Sequence, residues 1–365
     1  MIRAWFKCSV SAVLLGLLTA VAAADDSAYR VMLLGDIHYD AKEYHPDYKV
    51  KSSFKRNLTM WQGASQQLLK AAGEQAGKEK TAFVVQLGDI TQGDADTPEL
   101  QEKMFRTAFS ILKQNFPGSK VLVVKGNHDV RDRNAKTDNG PAERALLPLV
   151  AAELGVPKLS DGHYAFRRGR DLFIAVDGFL GKKRTVDFVR KALADDPDAR
   201  YVFLMTHLPV LPACAKYPVW LAPGFEEIAA MLEPRRALVL AAHTHRPSLT
   251  TRTTARGYLP QIVVSSMGCD WAPKKLIAPA FTDWDGYLAA ARQAKLKGRN
   301  RIVPKELPRI AALGAHTHRR DFTNSGFVVL DVSDAGVAAR VFTNASGTPA
   351  QTLRLIEGPV AKNAK

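Results

Sequence analysis

Five times along this chain an apolar, largely β-branched run stops abruptly and hands over to an acid, an amide or an imidazole. Val31-Met-Leu-Leu-Gly35 runs into Asp36 and His38, and Phe83-Val-Val-Gln-Leu-Gly88 into Asp89. Val121-Leu-Val-Val124 leads through Lys125 to Gly126-Asn-His-Asp129. Tyr201-Val-Phe-Leu-Met-Thr206 meets His207, and Ala237-Leu-Val-Leu-Ala-Ala242 meets His243 and His245. Short continuous apolar runs of this kind read as strands buried on both faces, the pattern of parallel sheets. Packing alone gives no reason for five such strands to carry polar tips.

Between the runs the period changes to that of helices. Ser52 or Ser53 can cap a helix to about Ala76, and Thr97-Pro98-Glu99 opens one reaching Asn115. Further helices are expected at about Pro141–Leu154, Thr185–Leu193 and Phe225–Leu232. Strand and helix therefore alternate, which places the chain in the α/β class. Strands outnumber helices in the second half. His163–Phe166 and Leu172–Val176 read as a hairpin, Gln261–Ser265 as a further strand, and three closing strands are expected at Phe327–Val332, Val337–Phe342 and Thr352–Ile356. A second sheet packed on the first accommodates the surplus. Residues 271–325 break the rhythm and read as helix and loop.

The first 24 residues stand apart. Arg3 and Lys7 precede the apolar stretch Val10–Val21, and Ala22-Ala-Ala24 supplies small residues before Asp25. This is a secretory signal pattern, so an exported, periplasmic or secreted protein is expected. Removing Arg3 and Lys7 with it takes the formal charge from +15 to +13. A charge of that sign favours anionic partners, an anionic surface or phospholipid among them. The basic residues are dispersed and lack interleaved aromatics, so no specific nucleic acid is expected. Cys214 and Cys269 remain after the leader; in an oxidising compartment they can pair, and their spacing matches no zinc motif.

In open α/β sheets ligands gather beyond the carboxyl ends of the strands, where all these polar tips stand. Asp36, His38, Asp89, Asn127, His207, His243 and His245 are too many for one metal ion and suit two ions sharing a carboxylate. Mixed oxygen and nitrogen donors fit Mn, Fe or Zn. Two cations roughly 3.5–4 Å apart can hold a hydroxide between them and clamp the oxygens of an in-line displacement at phosphorus.

Asp36-Ile-His38, Gly88-Asp89, Gly126-Asn-His-Asp129, Thr206-His207 and His243-Thr-His245 resemble, in order, the five blocks of the calcineurin-like metallophosphoesterase family. The resemblance spans residues 31–266. It implies a four-layer αββα sandwich of two mixed β-sheets flanked by helices. It implies that Asp36, His38 and His245 hold one metal and Asn127, His207 and His243 the other, with Asp89 bridging. His128, with Asn127, would lie beside the scissile phosphate and act, as an imidazolium, on developing charge or on the leaving oxygen.

On this reading residues 25–365 form one metallophosphoesterase domain, with an inserted helical or loop segment at about 271–325 and closing strands to about 357. The expected activity is hydrolysis of phosphate mono- or diesters by the hydroxide between the metals. The competing reading is a non-catalytic, basic binder of cell-surface polyanions that keeps a structural metal site. The chain departs from the family pattern in two places. Ala242 stands where the last block usually has Gly, and Gln92 stands where some members have an Asp that pairs with the active-site histidine, a part left to Asp94 or to no residue. A second His-Thr-His, His316 to His318, competes for the last block; the earlier pair follows a clean strand and is preferred.

Overall fold

The computed structural model describes residues 28–46, 58–59, 61–134, 136–213, 221–267, 283–293, 307–322, 326–343 and 346–358. The expected signal segment, Cys214 and Cys269 lie outside these residues. The first third of the chain alternates strand and helix: β1 (Ala28–Leu34), α1 (Gln66–Glu79), β2 (Phe83–Gln86), α2 (Pro98–Asn115), β3 (Lys120–Val123) and α3 (Gly140–Leu154). The middle third holds the hairpin β4 (Tyr164–Arg168) and β5 (Asp171–Val176), then α4 (Lys182–Asp195), β6 (Val202–Thr206), α5 (Phe225–Leu232) and β7 (Ala237–Ala241). After it come β8 (Ser248–Thr254), β9 (Gly257–Val263), α6 (Trp284–Gln293), α7 (Leu307–Gly314), β10 (Thr317–Asp321), β11 (Gly326–Ser333), β12 (Gly336–Thr343) and β13 (Gln351–Glu357).

Local sequence explains the sharpest boundaries. Thr97 caps α2 by accepting a hydrogen bond from the Leu100 amide, and Pro98 fills the first helical position, where a missing N–H costs nothing. Gly155 ends α3 in the left-handed region at φ 75°, a conformation free of penalty only for glycine. The helix foreseen from Ser52 or Ser53 to Ala76 is observed as α1, entered through a π-turn at Trp61–Ser65; residues 47–57 lie outside those described.

The strands form two mixed sheets, in the orders β13-β12-β11-β1-β2-β3 and β10-β8-β9-β7-β6-β5-β4. β1, β2 and β3 are parallel, as are β5, β6, β7 and β9; the flanking strands run antiparallel. Alternation along β5 shows how the layers stack. Phe173 and Ala175 enter the central core, whereas Leu172, Ile174 and Val176 join a second cluster with Val186, Val189 and Ile228 of α4 and α5. Across the central interface Phe83 of β2 meets Phe173 and Phe166, with ring centroids 5.0 and 5.6 Å apart. With α1, α2 and α3 on the outer face of the first sheet, the result is the four-layer αββα sandwich.

Two strands were not foreseen. β8 reads Ser-Leu-Thr-Thr-Arg-Thr-Thr, too polar to register as apolar alternation, yet Ser248, Thr250 and Arg252 point inward and are buried. β10 pairs with β8 and makes residues 317–321 a sheet edge, so the segment 271–325 is not helix and loop alone. His316 and His318 are exposed there, away from the strand ends that carry the other histidines.

The end of the sandwich remote from those histidines is tied by charge. Arg200, buried at 5% exposure, donates to both carboxylate oxygens of the fully buried Asp171 at 2.8 and 2.6 Å. The Tyr29 hydroxyl donates to the same carboxylate at 2.6 Å, joining β1 of one sheet to β5 of the other. Replacing Asp171 by Ala would leave the buried Arg200 guanidinium with the exposed Asp334, 2.6 Å from Nη1, as its remaining carboxylate partner, an effect of at most about 3–5 kcal/mol for a buried pair losing one partner. The expected outcome is a melting temperature lower by about 4–7 °C with metal stoichiometry unchanged, measured by thermal unfolding and elemental analysis.

Candidate metal centre

The carboxyl ends of the parallel strands of both sheets meet at one rim. Gly35 lies so close to β9 that a Cβ there would sit 2.1 Å from the Ser265 carbonyl oxygen. The Ser266 hydroxyl and the Met267 amide both donate to the Asp36 carbonyl at 2.8 Å. Within the first sheet the amides of Ile37 and His38 donate to the Asp89 carbonyl at 3.0 and 2.9 Å. Backbone contacts thus fix the tips of β1, β2 and β9 relative to one another before any side chain is considered.

The side chains converge in two groups that share Asp89: Asp36, His38, Asp89 and His245 in one, and Asp89, His207 and His243 in the other, with ligand atoms of each group within 4.8 Å of one another. His38 Nε2 and His245 Nε2 are 3.2 Å apart, and His245 Nε2 is 3.4 Å from Asp36 Oδ1. In the second group His207 Nε2 lies 3.1 Å from both Asn127 Oδ1 and His243 Nδ1. Asp89 Oδ2 faces both sets, 3.3 Å from His207 Nε2 and 3.8 Å from His38 Nε2. Its Oδ1 accepts from the His128 amide at 2.7 Å, which locks the carboxylate plane. All seven ligand candidates, and His128 with them, are therefore brought to one place.

Unusual backbone aims them. His38, Asp89, His243 and His245 have φ of 50°, 53°, 68° and 54°. Non-glycine residues in this region cost roughly 1–2 kcal/mol each, and such strain persists where surrounding structure over-determines it. Glycines at the tips give the side chains room. A Cβ on Gly88 would lie 2.4 Å from His207 Nδ1, and one on Gly126 would lie 2.2 Å from the Asp89 amide nitrogen. Ala242 keeps ordinary negative φ, and its amide donates to the His207 carbonyl at 3.1 Å, so the turn accepts alanine without distortion.

Protonation favours cation binding. Burial, with His128 beside it, pushes His38 down to about 3, and burial pushes His243 well below its ordinary value, so both rings offer lone pairs. Burial works against ionisation of Asp36, but His245 and His207 outweigh it and hold the carboxylate at about 2. Asp36 Oδ1 is buried and accepts no hydrogen bond. A buried, ionised oxygen that accepts no hydrogen bond, in a cluster where His38 and His243 offer lone pairs, fits a metal cation. His207 Nδ1 donates to the Leu87 carbonyl at 2.8 Å, which turns the Nε2 lone pair toward the centre, the supporting contact common to metal-binding histidines.

Further residues hold the site, and the sequence assigned no role to two of them, Asp129 and Arg131. Asp129, known there only as the last letter of its block, accepts from the amides of Gly126 and Thr91 at 2.8 and 3.0 Å and from the Thr91 hydroxyl at 3.1 Å, stitching the loop after β3 to the loop after β2. Burial and the charge of Asp89 push its carboxyl up to about 7. His128 Nδ1 donates to the Gln92 backbone carbonyl at 2.8 Å, so a peptide oxygen takes the part left to Asp94. Asp94 instead accepts from Arg131 Nε and Nη2 at 2.6 and 2.5 Å, leaving Arg131 Nη1 3.5 Å from His128 Nε2. Burial, with Arg131 adding to it against Asp89, pushes His128 below its ordinary value. The only signal for this pair is spacing: Asp94 follows Asp89 by five residues and Arg131 follows His128 by three.

A family model described as calcineurin-like phosphoesterase matches residues 29–247, well over half of the 365-residue chain. Among solved structures, a dimetal phosphatase from Danio rerio superposes with a TM-score of 0.54 at 14% identity, covering 90% of this chain and 99% of that one. A purple acid phosphatase from yellow lupin (Lupinus luteus) seeds gives 0.57 at 13% identity, with 91% of this chain and 54% of the other covered. PhoD gives 0.51 at 12%, covering 90% and 68%. At these identities the likeness is one of fold. No curated protein matches the chain.

One titration distinguishes this cluster from a set of buried hydrogen bonds. Burial opposes the charged form of His207, but Asp89 and Asp36 overcome it and raise the ring to about 9. A raised pKa stabilises the folded chain fully below the unfolded value near 6.5, and that stabilisation is lost as pH rises through 9. Metal must displace the same proton. Chelator-treated protein is therefore expected to melt lower as pH rises from 6.5 to 9, while affinity for added Mn or Zn rises over the same window. Thermal melts with and without metal read both trends, and a flat difference between them contradicts the assignment.

Proposed function

Because the chain belongs to the calcineurin-like phosphoesterase family and is a metal-dependent hydrolase of phosphoric esters, we propose that it cleaves phosphate mono- or diesters outside the cytoplasm at the centre built on Asp89. The observation that carries this reading is the sharing of Asp89 between two complete ligand groups, the arrangement a bridging carboxylate needs. Bound there, Asp36, His38 and His245 on one side and Asn127, His207 and His243 on the other would hold two cations that supply Lewis acidity at the phosphoryl oxygens and acidify a water toward neutral pH.

The chain's own residues do the rest. Asp89, with one oxygen pinned by the His128 amide, keeps the two ligand groups at a fixed separation. His128 is held with its proton on Nδ1 and its ring edge against His38, the ring centroids 4.6 Å apart. The charge of an arriving phosphate ester raises the affinity of Nε2 for a proton, which it can then donate to the leaving oxygen. Arg131, splayed against Asp94, supplies a fixed cation beside that nitrogen and orients a phosphoryl oxygen. Export is supported by the pattern of Arg3, Lys7, Val10–Val21 and Ala22–Ala24, and the net positive charge favours anionic substrates or surfaces. Among the described residues no helix is long and apolar enough to cross a membrane.

Asp89→Ala is expected to lose bound metal and nearly all turnover of a chromogenic phosphate ester. His128→Ala should retain metal and slow kcat about 100-fold, the scale of one general acid, with the largest loss for poor leaving groups. Arg131→Ala should raise KM more than it lowers kcat. Elemental analysis and steady-state kinetics with mono- and diester substrates separate the three, and full activity in the Asp89 variant would end the proposal.

A further inference from the structure

A concave surface lies at the end of the sandwich opposite the metal centre. A cleft of about 830 Å³ opens where β6, β7 and β9 begin and β13 ends. Arg236 stands just before β7 and His243 just after it, seven residues on. At about 3.3 Å per strand residue the cleft and the metal centre are roughly 20 Å apart through the sheet.

The cleft is lined by arginines, and its carboxylates are already committed. Glu233 is buried and accepts from Arg252 Nε at 2.6 Å and from the Thr254 hydroxyl at 3.0 Å. Glu357 lies 3.3 Å from Arg354 Nη1, and Arg200 is bound to Asp171. Arg235 donates to the Pro197 carbonyl at 2.8 Å. Arg236 and Arg256 are exposed and form no ion pair among the described residues. Tyr258, on the rim and 40% exposed, adds a phenol donor. The cleft therefore presents donors with uncompensated positive charge inside a concave wall, a shape that concentrates the field toward an anion.

We infer that this cleft is a docking site for a linear chain bearing several phosphates, separate from the metal centre. The volume falls in the range of sites for ligands of tens of atoms, far larger than one phosphate ion requires. Concavity disfavours the flat plane of a bilayer, which touches only protruding side chains. Guanidinium forks match tetrahedral oxyanions that accept and do not donate. The choice of phosphate over carboxylate as the repeating anion rests on the phosphoesterase reading above.

The test titrates fluorescently labelled inorganic polyphosphate with the full chain, and with Asp89→Ala so that the label is not consumed, following anisotropy across a salt series. Arg236→Glu combined with Arg256→Glu changes two exposed side chains and should leave melting temperature and turnover of a small chromogenic ester unchanged. The expected result is tenfold or greater loss of polyphosphate affinity in the double variant, with the salt slope reduced by about two. Asp89→Ala alone should bind as the unaltered chain does. Equal affinity in the double variant, or displacement of the label by polyglutamate as readily as by polyphosphate, would overturn the inference. Turnover of the small ester, read in parallel, reports separately on the hydrolytic reading.

Discussion

The Asp89 carboxylate is the point on which the rest of this molecule depends. It is almost fully buried, ionised, and faces imidazoles from opposite sides. A carboxylate in that position is costly unless its surroundings are positive or donate hydrogen bonds. The His128 amide satisfies one oxygen and leaves the other to the two histidine sets, so the geometry is complete with cations between them. The left-handed backbone at Asp89, His38, His243 and His245 belongs to the same account. Strain of that kind is held by the close approach of β1, β2 and β9 tips and by the glycines that let rings and backbone nearly touch.

The sandwich explains why such a cluster can exist at all. Parallel strands end together, and two sheets packed face to face bring two rows of ends to one rim. Asp36, Asp89 and Asn127 follow strands of the first sheet, whereas His207, His243 and His245 follow strands of the second. Neither sheet alone carries a complete ligand set. The opposite end of the sandwich must hold the sheets in register, and there Tyr29, Asp171 and Arg200 do so through buried, fully directed hydrogen bonds. The molecule is thus polarised, with a cation-hungry cluster at one end and an arginine-rich cleft at the other. For an enzyme that acts on phosphate esters the two ends attract the same class of molecule by different chemistry.

Much of this was legible in the chain. Apolar runs with polar tips marked the parallel strands, Thr97-Pro98 marked a helix start, and the ordered blocks from Asp36 to His245 named every ligand candidate. What escaped has physical causes. β8 turns Ser248 and Thr250 into the interior and ties the buried Arg252 to Glu233, so hydropathy alternation is absent. β10 exists as a strand because β8 offers it an edge. The Gln92 carbonyl holds His128 as a backbone group, which no side-chain pattern announces.

By itself the sequence determined the class of fold, the donors available for metal, and the basic charge, because these follow from residue type and local period. Tertiary structure alone decided that Asp89 faces both histidine sets, that Arg131 is turned by Asp94 against His128, and that Arg236 and Arg256 share a cleft. Those are distances between residues far apart in the chain. They are set by how two sheets close on each other, a property of packing that no stretch of residues carries alone.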